Sequence, residues 1–543
     1  MRRVAAIGAL LVCAARSAVP GDAPTLDTDL GAHHRQVTTS SKEAQAWFDQ
    51  GLVWLFAFNH DDAIAAFRRA GELDPSCTMA WWGVAAANGP HINFPLVPPD
   101  RAAAAWEALA KARASASGAS EVEQALVEAL AARYADPAPD DRRPLDEAYA
   151  AAMQRVHERF PKDADVATLY AEALMDLQPW DLWSTSGEPK GRVKEIVEVL
   201  ERAIALDPAH PGALHLHVHA LEAGPDPARA RSSADRLRTL VPGSGHLVHM
   251  PCHVYVRTAD YDGAIAANEA AIEADRRHAA RIPKTGFYQV YMAHNRQFLC
   301  FAAMLAGRSA LALDAAKRMV DDVPPEFVEA WGPVVDGFLS IRLHAMVRFG
   351  RWDDILSFPP YAEPLVAANA VRHYARGVAL TALGRLDEAA RELEALDAAV
   401  TAMDDRPMGN NPAKRVLEIP RRLLRGEWLF RRGQRDEGLA RLREAVALED
   451  ALVFDDPPDW MMASRHPLGA ALLEASQWDE AERVFLEDLR RFPENGWSLY
   501  GLSRVYHETK KGESLADVVA RFGKAWAKAD VTLRSPCFCQ PGK

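Results

Sequence analysis

The sequence predicts an all-α protein, an α-solenoid of tetratricopeptide-like helical hairpins forming a superhelix. Three observations carry that expectation. Small and bulky residues recur at tetratricopeptide spacing along most of the chain, Ala, Leu, Arg, Glu and Asp dominate the composition, and β-branched or aromatic runs that mark strands are scarce. At 543 residues the chain also exceeds what one compact core holds, so several domains or an elongated array is required.

Residues 1–20 read as a secretory signal peptide. Met1-Arg2-Arg3 is followed by an apolar run from Val4 to Ala15, small residues to Ala18 and a polar stretch after Pro20. Cleavage is expected between Arg16 and Gly21, which directs the product to the periplasm or the medium. A lipoprotein anchored through Cys13 is not expected, because Val12 precedes it where a small residue is wanted. No later apolar stretch approaches the ~20 residues that span a bilayer.

Residues 21–135 hold the N-terminal hairpins, and here the repeat is read most directly. With Ala44 as first position, the fourth, eighth, twentieth, twenty-fourth, twenty-seventh and thirty-second places carry Trp47, Gly51, Ala63, Phe67, Ala70 and Pro75. Small residues at these places let the two helices of a hairpin approach, and the bulky ones fill the groove between neighbours. The Pro-rich stretches from Gly89 to Asp100 and from Tyr134 to Pro144 are loops.

Residues 136–330 form a central, His-rich segment, with an irregular insertion from Pro179 to Lys190 that contains PWDLW. Ala264 and Ala271 keep the repeat register here, with Asp275 near the closing turn. Residues 331–530 continue the array through Gly377, Gly384 and Ala389, then Gly426, Gly433 and Ala445, then Gly469, Ala481, Phe485 and Pro493, with a last pair starting near Trp497 and Gly501. Weaker copies surround Gly307 and Gly350. In the tail, residues 531–543, Cys537-Phe538-Cys539 could hold a soft metal or a strained link, and reads more simply as a frayed end with two thiols. Once Cys13 is cleaved five cysteines remain, an odd number and no disulfide framework.

Chemistry concentrates in the central segment. Six of the eighteen histidines fall between His215 and His253. GALHLHVHALE, from Gly212 to Glu222, is predicted helical, and at about 100° per residue His215, His219 and Glu222 lie within about 60° of one another while His217 points elsewhere. In GHLVHMPCHVY, His246, His249 and His253 are spaced to share one helix side, although Pro251 fits only in a first turn or at a kink. His294 follows in YMAHNRQF, beside Asn295. Imidazole is the commonest metal ligand, and two at this spacing chelate one ion. The set suits one or two transition-metal ions, Cu, Zn or Fe. In the two-ion form His215, His219 and His294 hold one, and His246, His249 and His253 the other. Glu222, Asp181, Trp180, Asn268 and Asn295 are expected to line the pocket or support the ligands. Asp181 reads more simply as an N-cap or turn residue and Asn59-His60 as a cap; Asn88, His91 and Asn93 sit on or beside the first loop. A lone helical histidine is usually only a hydrogen-bonded core residue; clustering is what favours a metal here over a polar organic-ligand pocket or structural histidines.

Other classes lose their anchors. Phosphate-loop, dinucleotide, zincin, serine-hydrolase and c-type haem signatures are absent. A formal net charge of −12, with basic residues interspersed among acidic ones, argues against nucleic acid as partner.

The stretches HHRQVTTSS, FDQGLVWLFAFNHDDAIAAF, LYAEALMDLQPWDLW, HPGALHLHVHALEAGP, PGSGHLVHMPCHVYVRTADYDGAIAANEAAIEAD, YMAHNRQF and DDPPDWMMASRHPLGAALL carry a resemblance. From His33 onward the chain resembles a bacterial family of exported tetratricopeptide repeat proteins with central HxxxH, HxxHxxxH and HN motifs and no settled activity. The resemblance matches His215, His219, Glu222, His246, His249, His253, His294 and Asn295, and departs at His217, His91 and Cys252. It implies that the constellation is a family feature without saying what it does. Three functions follow: a metalloprotein, catalytic if an all-His site leaves positions open to activate water or dioxygen; a scaffold gripping a peptide or envelope protein without metal; and a metal-independent small-ligand enzyme or receptor using His and Glu as acid and base.

Overall fold

The computed structural model describes residues 25–282 and 286–540. The expected signal peptide and Cys13 lie outside the described residues.

Among the described residues the regular structure is helical, apart from a two-residue antiparallel ladder and two isolated bridges. The helices are α1 (Lys42–Phe56), α2 (His60–Leu73), α3 (Thr78–Ala87), α4 (Pro99–Ser115), α5 (Glu121–Ala131), α6 (Arg143–Arg159), α7 (Ala164–Met175), α8 (Val193–Leu206), α9 (Pro211–Glu222), α10 (Arg231–Leu240), α11 (Gly245–His249), α12 (Pro251–Arg257) and α13 (Tyr261–Arg281). They continue as α14 (Tyr288–Leu305), α15 (Ser309–Asp321), α16 (Pro325–Leu339), α17 (Ile341–Arg348), α18 (Trp352–Ser357), α19 (Val366–Ala382), α20 (Leu386–Ala402), α21 (Ala413–Arg431), α22 (Arg435–Asp450), α23 (Arg465–Glu474), α24 (Trp478–Arg491), α25 (Gly496–Glu508) and α26 (Gly512–Ala525). The chain divides into two compact units, one comprising Met1–Pro251 and Ala270–Tyr291, the other Cys252–Glu269 and Met292–Lys543. No helix is long and apolar enough to cross a membrane among the described residues.

In the first unit the hairpin α1–α2 shows how the repeat packs. Ser41 caps α1 by accepting from the Ala44 amide at 3.1 Å, and Asn59 caps α2. Phe67 is fully buried between Gly51 of its own hairpin and Gly83 of α3, and a Cβ at either glycine would overlap its ring. The second unit repeats the device with Phe485 between Gly469 of α23 and Gly501 of α25. The tetratricopeptide-type all-α architecture thus rests on close backbone approach at small residues, around Phe67 and Phe485 in these hairpins and around Leu424 and Leu442 at Gly377 and Gly426.

The irregular segments fall where turn residues accumulate: between α3 and α4, between α5 and α6, and over the PWDLW insertion between α7 and α8. Two local expectations change. The single helix through His246, His249 and His253 is interrupted at Met250, and Pro251, which lacks an amide hydrogen, opens α12. Nor is the C-terminal tail frayed with two thiols. Cys537 and Cys539 are joined by a disulfide, Cys539 is buried, and Phe538 packs edge-on against Trp497.

Candidate metal centre

The first unit brings three histidines together from two helices. His210 caps α9, its Nδ1 accepting from the Ala213 amide at 3.1 Å, and Pro211 follows in the first turn, so the helix is set before its histidine stripe begins. His215 and His219 share one face of α9. His246 comes from α11, which Ser244 caps by accepting from the Leu247 amide. One ring nitrogen from each of His215, His219 and His246 lies within 4.8 Å of the other two, and all three side chains are buried. In a tetrahedral shell with ~2.0 Å bonds, ligand nitrogens stand ~3.3 Å apart, so no pair has to close by more than about 1.5 Å. His215 Nε2 and His246 Nε2 are already 3.1 Å apart.

The hydrogen bonds behind the rings decide which nitrogen faces inward. His215 Nδ1 lies 2.7 Å from the carbonyl oxygen of Phe56, which only accepts, so Nδ1 carries the hydrogen and Nε2 keeps its lone pair. His219 Nδ1 lies 2.7 Å from Oε1 of the buried Glu222 and by the same reasoning donates to it. That is the carboxylate–histidine arrangement which fixes ring orientation and raises ligand basicity in metal sites. The donor set therefore fits a transition metal.

Two aromatic residues in left-handed backbone conformation frame the cluster. Phe58, at φ 55° in the turn between α1 and α2, has its ring centroid 4.5 Å from His215, 6.0 Å from His219 and 5.9 Å from His246. Trp180, at φ 62° in the PWDLW insertion, stands edge-on to His219 at 5.2 Å. Non-glycine residues hold such a backbone only where their surroundings over-determine it, and such positions gather at functional sites. Beside them a small cavity is lined by Ile92, Met175, Trp180, Leu182 and His219.

Other candidates stand as follows. His249 is buried with its ring 6.1 Å from that of His246. His217 turns to α10, with Nδ1 2.9 Å from the Ser233 hydroxyl, and burial pushes its imidazole down to about 4. In the second unit, His253 and His294 stack at 5.9 Å, and His253 Nδ1 lies 3.1 Å from Asp456. The two-ion division expected from spacing is thereby rearranged: His246 completes the group on α9, and His294 stands beside His253. Asp181 is exposed and ion-paired with Lys190, and the carboxylate that meets His219 is Glu222. Asn268 is buried and donates to the Ala264 carbonyl; Asn295 is buried on α14.

The structure adds neighbours to which the sequence assigns no place at this cluster. His91 stacks on Phe58 at 4.5 Å and meets His60 at 4.5 Å; burial, reinforced by Arg101 and Arg133, pushes His60 down to about 3. A further group joins His33, Asp165 and His210. His33 and His210 lie 3.1 and 3.2 Å from one Asp165 oxygen, and Arg35 reaches the other at 2.9 Å. There the proton placement is reversed. His210 accepts at Nδ1 as a helix cap, so its Nε2 carries the hydrogen toward Asp165, and the group is a hydrogen-bonded anchor for the N-terminal segment. Burial alone would raise Asp165, but the two histidines and Arg35 hold it well below the usual carboxylate range.

Comparison with known proteins leaves the family open. No family model matches the chain, and no curated protein does. Among solved structures the chain is similar to the human IFIT1 dimer with m7Gppp-AAAA, at 14% identity and a TM-score of 0.34, covering 91% of this chain and 92% of that one. It is similar also to yeast Tom70, at 12% identity and a TM-score of 0.28, covering 89% and 93%. What those proteins bind is a property of theirs.

Proposed function

We propose that this protein is an exported metalloprotein whose α9 and α11 histidines hold a transition-metal ion. The observation that supports the reading is the pair of back-side hydrogen bonds, Phe56 carbonyl to His215 and Glu222 to His219, which turn two Nε2 lone pairs toward His246. Three imidazoles suit copper, zinc or iron. A bound ion of this kind supplies Lewis acidity or redox capacity. The residues orient it: Glu222 holds the His219 ring, Phe58 and Trp180 pack against the imidazoles, and a small cavity adjoins His219.

Metal analysis of the mature protein after loading with Cu, Zn or Fe tests this. About one equivalent is expected at this site, lost in His219→Ala and His246→Ala, with Glu222→Gln weakening affinity ~10–100-fold. Less than about a tenth of an equivalent in the loaded protein would sink the reading. Amino-terminal sequencing of envelope fractions tests export.

A scaffold is the second reading, favoured by the repeated hairpins themselves, since arrays of this type present continuous helix faces to peptides and proteins. It predicts an envelope partner whose binding is unmoved by chelator and by the histidine substitutions. Activity with a bell-shaped pH profile that survives chelation would instead assign His219 and Glu222 to metal-free acid–base chemistry.

A further inference from the structure

A second chemical site lies in the C-terminal unit, independent of the histidines. Cys537 and Cys539 bracket a single residue, so their disulfide closes a very short ring and constrains the unfolded chain little. Stability is a weak reason for it. The two sulfurs differ in exposure: Cys537 is half-buried and Cys539 is buried. Both line one cavity with Arg348, Tyr374, Leu423 and Met462.

Arg348 is the unusual member. It is buried, lies 4.0 Å over the Trp497 indole, and hydrogen-bonds at 2.9 Å to His466 Nδ1, while its Nε has no partner. Because His466 accepts from Arg348, its Nε2 carries the hydrogen that goes to Asp488 at 2.9 Å, so that imidazole is neutral. No carboxylate lies within ion-pair distance of Arg348 among the described residues, and Asp488 is reached only through His466. Desolvation draws the guanidinium down to about 9. A buried cation without an anion beside it favours an anion that can form near it, and in this cavity the group able to form one is a cysteine thiolate. The other thiols are poor competitors: Cys77, Cys252 and Cys300 are buried, and burial pushes Cys77 up to about 11 and Cys300 higher still.

We propose that Cys537 and Cys539 are a redox-active couple that exchanges with low-molecular-mass thiols, its reduced form held as a thiolate by Arg348. An external thiolate attacks Cys537 Sγ, the bond to Cys539 breaks, and its electron pair leaves on Cys539 Sγ, in the cavity that Arg348 also lines. A second external thiolate then attacks the external sulfur of the mixed disulfide and releases Cys537. Two thiols are oxidised to one disulfide, and the protein disulfide takes up two electrons; one proton ends on Cys537 and the other goes to solvent.

The test equilibrates the full mature chain in glutathione buffers of graded ratio, traps thiols by alkylation, and counts alkylated Cys537 and Cys539 by mass spectrometry. Trp497, in contact with Phe538, serves as a fluorescence reporter. The pair is expected to titrate within the range glutathione buffers reach, and Arg348→Met is expected to shift the equilibrium roughly tenfold or more toward the disulfide, with Arg348→Lys within about threefold of the native chain. A disulfide that resists every glutathione ratio overturns the proposal, as does a folded Arg348→Met chain with unchanged equilibrium. Should Arg348→Met not fold, the reduced native chain still decides: its alkylation rate must remain high below about pH 7, and a rate falling as for an ordinary thiol refutes the thiolate.

Discussion

His215 and His210 stand five positions apart and serve opposite ends. His215 gives its hydrogen to a backbone carbonyl and keeps the outer nitrogen basic, whereas His210 spends its basic nitrogen on the Ala213 amide. What a histidine can do is set by the group behind it. Glu427 shows the same dependence in the second unit. It is fully buried, neither oxygen has a hydrogen-bond partner, and burial, opposed by Arg431, pushes its carboxyl up from 4.5 to about 8. The folded chain thus keeps a proton that the unfolded chain releases near pH 4.5. Its stabilising contribution is complete below that pH and is lost as pH rises toward about 8. Glu427→Gln should match the native chain near pH 4.5 and exceed it by on the order of 3 kcal/mol at pH 8, as read from urea unfolding at the two pH values.

Between elements, a glycine–phenylalanine–glycine contact recurs in both units, at Phe67 and at Phe485. Phe485 is fully buried, and neither Gly469 nor Gly501 leaves room for a methyl group beside it. Phe485→Ala should cost about 3–5 kcal/mol, and Gly501→Ala about 1–3 kcal/mol through overpacking. The double variant should lose less than the sum, because the smaller ring position relieves the overlap. Additive losses in denaturant unfolding would show that the contact is not the constraint. Element ends matter equally at the site. Pro251 divides a stretch whose histidine spacing reads as one helix, so His246 and His249 belong to the first unit and His253 to the second.

Across the whole chain, metal should act locally. Hydrogen exchange with and without bound metal should show added protection in α1, α9 and α11, and little change in α19–α26; uniform protection throughout would contradict a site confined to the first unit. Much of this was legible in the sequence. Hairpin period, loop positions and the stripe of His215, His219 and Glu222 follow from local spacing, because a helix converts sequence interval directly into direction. The partners were not legible. His246 meets α9 across 31 residues and Asp165 meets His33 across 132, and no periodicity encodes such contacts. Phe58 was hidden for another reason, since its place depends on a left-handed turn that aromatic residues rarely adopt.

By itself, then, the amino-acid order determined a helical repeat array and one polar stripe, both products of short-range geometry. Only the tertiary structure decided that His246 joins the α9 pair and that the Phe56 carbonyl, by accepting from His215 Nδ1, leaves its Nε2 facing inward. Those outcomes depend on hydrogen-bond partners contributed by distant segments, and they exist only once the helices have packed.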